Sequence, residues 1–189
     1  MKRLAVFVSG GGTNFEALVN ACESGFIDAE IVLMVCDKKK AYAIERAKNH
    51  NVPVFVFSAK DYNSKDEYEA EIVKKLDEAN IDLVCLAGYM RICGNVLLDK
   101  YEGKIINIHP ALLPSFKGAH GIKDAFDYGV KVFGVTIHYV DSGMDSGKII
   151  AQKAFEYQEG DTLEDVERKI HAIEHELYPS VVKRLVEEL

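Results

Sequence analysis

Leu4-Ala5-Val6-Phe7-Val8-Ser9-Gly10-Gly11-Gly12-Thr13-Asn14 decides the fold. Five apolar residues in a row suit a strand buried on both faces, since a half-exposed strand alternates polar and apolar. The run ends in three glycines and opens a helical pattern from Asn14 to Glu23. Further apolar runs at Ile31 to Cys36, Val52 to Phe57, Ile81 to Ala87 and Lys104 to Ile108 read as strands. Helical patterns at Tyr42 to His50 and Asp66 to Ala79 lie among them. Strand and helix alternating in this way predict an α/β fold, with a mostly parallel twisted sheet and helices on both faces. Two longer β runs follow, Val130 to Val140 and Lys148 to Tyr157. The intervening Asp141 to Gly147 is too long for a tight hairpin and reads as a functional loop. A final helix begins at the cap Asp161-Thr162, and Pro179 is expected to kink or restart it.

Composition narrows the function. The 189 residues fit one domain, 1–189, without repeats or a linker. The formal net charge of -7 argues against a general nucleic-acid binder. The apolar run after Met1-Lys2-Arg3 is too short for a signal peptide or a membrane span, so a cytoplasmic protein that does not engage membranes is expected. Cys22, Cys36, Cys85 and Cys93 show no CxxC spacing and read as buried thiols in a reducing compartment. No His, Cys and Asp triplet has metal-ligand spacing, so no metal is expected.

The glycine loop invites a dinucleotide reading, but its fingerprint fails. Gly10-x-Gly12-x-x needs Gly or Ala next, and position 15 is Phe. No Gly-Lys-Ser/Thr follows for a Walker loop. A simple phosphate cradle at a helix N-terminus survives, with Thr13 and Asn14 adding side-chain donors. The alternative is a plain strand-to-helix turn.

Ile106-Asn107-Ile108-His109-Pro110-Ala111-Leu112-Leu113-Pro114 carries the chemistry. Alternate residues of a strand share a face, so Asn107 and His109 point the same way. Asp145 lies in the Gly/Ser-rich loop beyond. Each residue alone has an ordinary reading in turn chemistry or packing. Together, at strand ends and in the loops beyond, they suit acyl transfer to an amine. An amide and an imidazolium stabilise a tetrahedral oxyanion, and a carboxylate–imidazole pair takes a proton. No activated Ser or Cys stands beside the histidine, which favours direct transfer over a covalent acyl-enzyme. His120 could line the same cleft. His138 admits either a supporting or a core role, and His50, His171 and His175 read as structural or exposed.

Five stretches resemble the phosphoribosylglycinamide formyltransferase family, the folate-dependent GAR transformylases of purine synthesis. They are the glycine loop, Leu86-Ala87-Gly88-Tyr89-Met90-Arg91-Ile92, Asn107 to Pro114, Gly134-Val135-Thr136-Ile137-His138 and Glu174-His175-Glu176-Leu177-Tyr178-Pro179. The resemblance implies the Rossmann-like formyltransferase fold and Asn107, His109 and Asp145 as the catalytic trio. It implies glycinamide ribonucleotide (GAR) on Gly12, Thr13, Asn14 and Glu174. It implies the co-substrate 10-formyltetrahydrofolate against Lys65, Met90, Arg91, Ile92, Cys93, Asn107, Val140 and Asp141, in a monomer or homodimer. Three positions depart from the family pattern: Lys65 stands for a frequent Arg, Cys93 for Leu and Gly11 for Asn. The chain ends at Leu189, before the tail of longer relatives. Competing readings keep formyl chemistry with another acceptor, such as methionyl-tRNA or water, or reduce the protein to a folate or phosphate binder.

Overall fold

One seven-stranded sheet runs through the computed structural model, which describes residues 1–189. In chain order the elements are β1 (Lys2–Val8), α1 (Thr13–Glu23), β2 (Ala29–Cys36), α2 (Ala43–Asn49), β3 (Val54–Val56), α3 (Lys65–Glu78) and β4 (Leu83–Leu86). Then come α4 (Asn95–Lys100), β5 (Ile105–His109), α5 (Gly121–Tyr128), β6 (Val132–Tyr139), β7 (Ile149–Glu156) and α6 (Leu163–Glu188). The strand order is β3-β2-β1-β4-β5-β6-β7. β1 to β5 pair in parallel, whereas β6 and β7 join antiparallel. The mostly parallel sheet expected from the alternation is therefore present. No helix is long and apolar enough to cross a membrane.

β1 shows how the apolar runs build two cores. Leu4, Val6 and Val8 project to one face, where they join Phe15 and Leu18 of α1, Ala43 and Ala47 of α2, and Val182 and Val186 of α6. Ala5 and Phe7 project to the other, against Tyr68, Ile72 and Leu76 of α3 and Leu97 of α4. All five strand residues are fully buried. Burial on both faces is why the strand reads as an unbroken apolar run.

The structure corrects several sequence expectations. α4 and α5 were not visible in the pattern. They are short, and each buries only one or two residues. β3 spans Val54–Val56 rather than 52–57, and β4 spans Leu83–Leu86 rather than 81–87. The outer apolar residues Val52, Phe57 and Ile81 are buried but lie outside the ladder. α6 continues through Pro179 as one helix instead of restarting. Proline removes one helical N–H, but Tyr178, Val181, Val182, Leu185 and Val186 around it are buried. The Tyr178 hydroxyl also donates to Leu86 O at 2.7 Å. Tertiary packing outweighs the local penalty here. At its start, Thr162 Oγ1 accepts from Asp165 N–H while Asp165 accepts from Thr162 N–H, a reciprocal cap.

The topology also places a crevice. The chain leaves β1 through α1 to β2 on one side, while β4 flanks β1 on the other. Open α/β sheets bind ligands at such a reversal, beyond the carboxyl ends of the strands. The glycine loop after β1, Gly88 to Cys93 after β4 and the Pro110 turn after β5 share that edge.

Candidate active site

A cleft of about 400 Å³ opens at this reversal. Asn107 and His109 enter it from β5, and the β5–β6 register sets their neighbours. Asn107 lies directly opposite His138, and His109 directly opposite Thr136. Directly opposed residues of an antiparallel pair share a face, so all four side chains meet on one side.

His138 is buried at 2% exposure. Its Nδ1–H donates to Tyr139 O at 2.8 Å. That fixes the tautomer and leaves Nε2 to accept from the Asn107 amide at 3.3 Å. Burial lowers the His138 pKa, which keeps the ring neutral and able to accept. His138 is therefore a partner of Asn107, which resolves the two roles left open by the sequence. The second N–H of the Asn107 amide stays open to the cleft.

His109 is also buried. Its Nε2–H donates to Phe116 O at 2.8 Å. Its Nδ1 faces Asp145 Oδ2 at 3.6 Å, and Asp145 Oδ1 lies 3.8 Å from His138 Nε2. Asp145 also accepts from Gly118 N–H at 2.8 Å. The end of β6 lies beside Ile106, so the following loop must fold back over the sheet to bring Asp145 onto His109. Asp145 sits at φ 50, a left-handed backbone uncommon outside glycine and worth attention where chemistry is expected. Gly121 closes the back of the histidine: a Cβ there would meet Phe116 O at 3.1 Å and His109 Nε2 at 3.2 Å.

At the other end, Thr13 and Asn14 of α1 line the cleft, while Gly12 lies just behind them and turns the chain at φ 77. Asn14 is buried, with an Oδ1 that has no partner. Glu174 reaches the same region from α6 and accepts from His171 Nδ1 at 2.8 Å. Glu174 raises the His171 pKa through that bond. His171 is exposed, as the sequence reading allowed, and it also lines the cleft. Its spacing of three from Glu174 on one helix was the available signal. His120 departs from expectation in the opposite direction, since it is exposed at the start of α5 and away from the lining.

Met90, Arg91, Ile92 and Cys93 form the third wall, facing Val140, Asp141 and Met144. Met90 is 63% exposed and Ile92 51%, so their apolar surface is open rather than core. Arg91 is not free: its Nε donates to Asp37 Oδ2 at 2.8 Å. Asp37 also accepts from Ser9 Oγ, and Ser9 Oγ accepts from Met90 N–H at 2.9 Å. Sequence reasoning passed over this network, which ties the base of the glycine loop to the methionine wall. Lys65 is outside the lining, and its Nζ donates to Ile92 O at 2.8 Å. It therefore braces the wall from behind. Asp141 accepts from Ser146 Oγ at 2.7 Å and Gly143 N–H at 3.0 Å, and these bonds lower its pKa.

A cleft lined by an amide, an imidazole and a carboxylate at the reversal point of a mostly parallel sheet defines a class of α/β protein, and known proteins of that class resemble this chain closely. Residues 2–182 match the family described as Formyl transferase. A phosphoribosylglycinamide formyltransferase of Bacillus subtilis (strain 168) is 52% identical over 98% of this chain and 95% of its own. A glycinamide ribonucleotide transformylase 1 structure from Geobacillus kaustophilus superposes with a TM-score of 0.96 at 53% identity, covering 98% of this chain and 99% of the other. A phosphoribosylglycinamide formyltransferase structure from Bacillus halodurans gives 0.95 at 51%, covering 98% and 95%. The chain belongs to the formyl transferase family and, within it, to the phosphoribosylglycinamide formyltransferases.

Proposed function

We propose that this protein transfers the formyl group of 10-formyltetrahydrofolate to the amine of glycinamide ribonucleotide. The observation that carries the reading is the meeting of Asn107, His109 and Asp145 between two unlike walls. One wall is a helix N-terminus suited to a phosphate. The other is an open apolar strip of Met90, Ile92 and Met144, suited to a flat aromatic ring. Thr13, Asn14 and Glu174 hold the ribonucleotide in this reading, with Gly12 shaping the loop. Met90, Arg91, Ile92, Cys93, Val140 and Asp141 take the folate, with Lys65 as a brace.

Holding both substrates in one cleft replaces a bimolecular encounter by proximity. The amine attacks the formyl carbon, forming a C–N bond and an oxyanion. The free N–H of Asn107 donates to that oxyanion, and His109 joins once it exchanges Phe116 O for the new acceptor. Such bonds tighten as the transition state forms. Asp145 accepts the proton lost by the amine, directly or through His109. The tetrahedral centre collapses by breaking the bond to the folate nitrogen, which takes up a proton as it leaves.

Formyl transfer is assayed with and without glycinamide ribonucleotide. Product formation only with the acceptor is expected, and equal release of formate without it would refute the transfer. Asp145→Asn keeps an acceptor for Gly118 but removes the charge facing both histidines. Its turnover is expected to fall by roughly 10²-fold or more.

A further inference from the structure

Glycine-rich loops adopt many conformations unless something holds their peptide planes. Here α2 holds them. Ala43 N–H donates to Gly10 O at 3.1 Å, and Arg46 Nε donates to Gly11 O at 2.7 Å. A Cβ on Gly12 would lie 2.6 Å from Ala43 Cβ, so α2 packs against the loop as closely as glycine permits.

In a trans peptide the C=O and N–H of one plane point in opposite directions. Turning the carbonyls of Gly10 and Gly11 toward α2 turns the N–H groups of Gly11 and Gly12 away from it. No hydrogen bond within the protein uses those two N–H groups, nor those of Thr13 and Asn14. Four successive N–H groups are thus left without a partner in the protein, and successive free amides are the material of an anion-binding concavity.

Arg46 does not line the cleft itself. Its guanidinium lies 5.0 Å from the centre of the Tyr42 ring, and its Nη1 is 3.7 Å from Glu16 Oε2. Glu16 is bonded in turn by His50 Nε2 at 2.9 Å. The guanidinium is held from several sides and its charge is matched by a carboxylate.

We propose that Arg46 is a positioning residue for phosphate-ester recognition, acting by fixing the Gly11 carbonyl and thereby aiming the loop amides. This rests on the proposed reading that the glycine loop takes the substrate phosphate. Arg46 acts by preorganisation, which raises affinity by removing the cost of ordering the loop on binding.

The test measures kcat/KM at saturating folate for glycinamide ribonucleotide and for its dephosphorylated ribonucleoside. Wild type and Arg46→Ala are compared, with thermal melts to confirm that substitution of this partly buried side chain leaves the fold intact. Wild type is expected to prefer the phosphorylated substrate. Arg46→Ala is expected to lose about ten- to hundredfold of kcat/KM for it, mostly in KM, the range of one charge-assisted hydrogen bond. The dephosphorylated substrate and the folate KM stay within about twofold on this preorganisation account. The loss persists at about 1 M salt, where a distant charge would be screened over ~3 Å. Equal use of both substrates by wild type would overturn the phosphate reading of the loop itself. A wild-type preference that survives in Arg46→Ala overturns the brace. So does a loss shared by both substrates, or one that disappears in salt.

Discussion

Asn107→Ala tests the oxyanion assignment most directly. The Asn107 amide has two N–H groups, one bonded to His138 Nε2 and one open to the cleft. A single donor aimed at a developing oxyanion contributes about 2.7–4 kcal/mol, or roughly 10²–10³ in kcat. Alanine removes that donor and also leaves buried Nε2 of His138 without its partner, which costs about 1–3 kcal/mol of stability. Thermal melts must therefore accompany the kinetics. His138→Phe provides the control: it keeps the amide but removes its restraint. The lost neutral bond is worth about 0.5–1.5 kcal/mol, or roughly two- to tenfold in rate if it serves only to orient Asn107. Turnover should fall from wild type to His138→Phe to Asn107→Ala. Steady-state kinetics give kcat and both KM values, and single turnovers of the saturated ternary complex isolate the chemical step. An Asn107→Ala enzyme within about fivefold of wild type in that step would refute the oxyanion role. A loss confined to KM would make Asn107 a binding residue instead.

Two further predictions concern stability. Thr162→Ala removes the acceptor that caps α6 and should cost about 1 kcal/mol in urea unfolding; an unchanged midpoint and slope would show that packing alone sets the helix start. Burial depresses the His138 pKa below its ordinary 6.5, so on acidification the unfolded chain binds a proton that the native state resists. The stability contributed by His138 is present above that value and is lost as pH falls toward the lower native one. His50 has the opposite sign, because Glu16 and Glu23 raise its pKa, and its contribution is lost as pH rises through the native value. Unfolding curves for wild type, His138→Phe and His50→Gln across about pH 5 to 8 should therefore show variant differences of opposite slope, and parallel curves would refute both assignments.

The frame of the fold was legible because β1 to β5 are mostly buried on both faces, so apolar runs mark them directly. Their ends were less legible, since Val52, Phe57 and Ile81 are buried without joining the ladder. α4 and α5 escaped because six and eight residues leave too few apolar positions for a helical period. At the site, strand alternation proposed Asn107 and His109 and loop position proposed Asp145, and the structure brings Asp145 against His109. Pairings between distant residues were not legible. Nothing in the sequence says that Asp37 will hold Arg91, which lies 54 positions away, or that Lys65 will turn its ammonium to a backbone carbonyl. His138 was ambiguous for a related reason: alternation places a residue on a face but does not identify the residue opposite. The β5–β6 register supplied that information.

The open methionine wall has a calorimetric consequence. Met90, Ile92 and Met144 all stand at least half exposed in the free protein, with water against their apolar atoms. A ring that covers them releases that water, and burial of apolar surface gives association a negative heat-capacity change. If the wall takes the folate as proposed, the enthalpy of folate binding should therefore grow more favourable with temperature. Unbranched, polarisable methionine side chains readjust at little cost. The same wall can then accept rings of different outline with similar heat-capacity signatures.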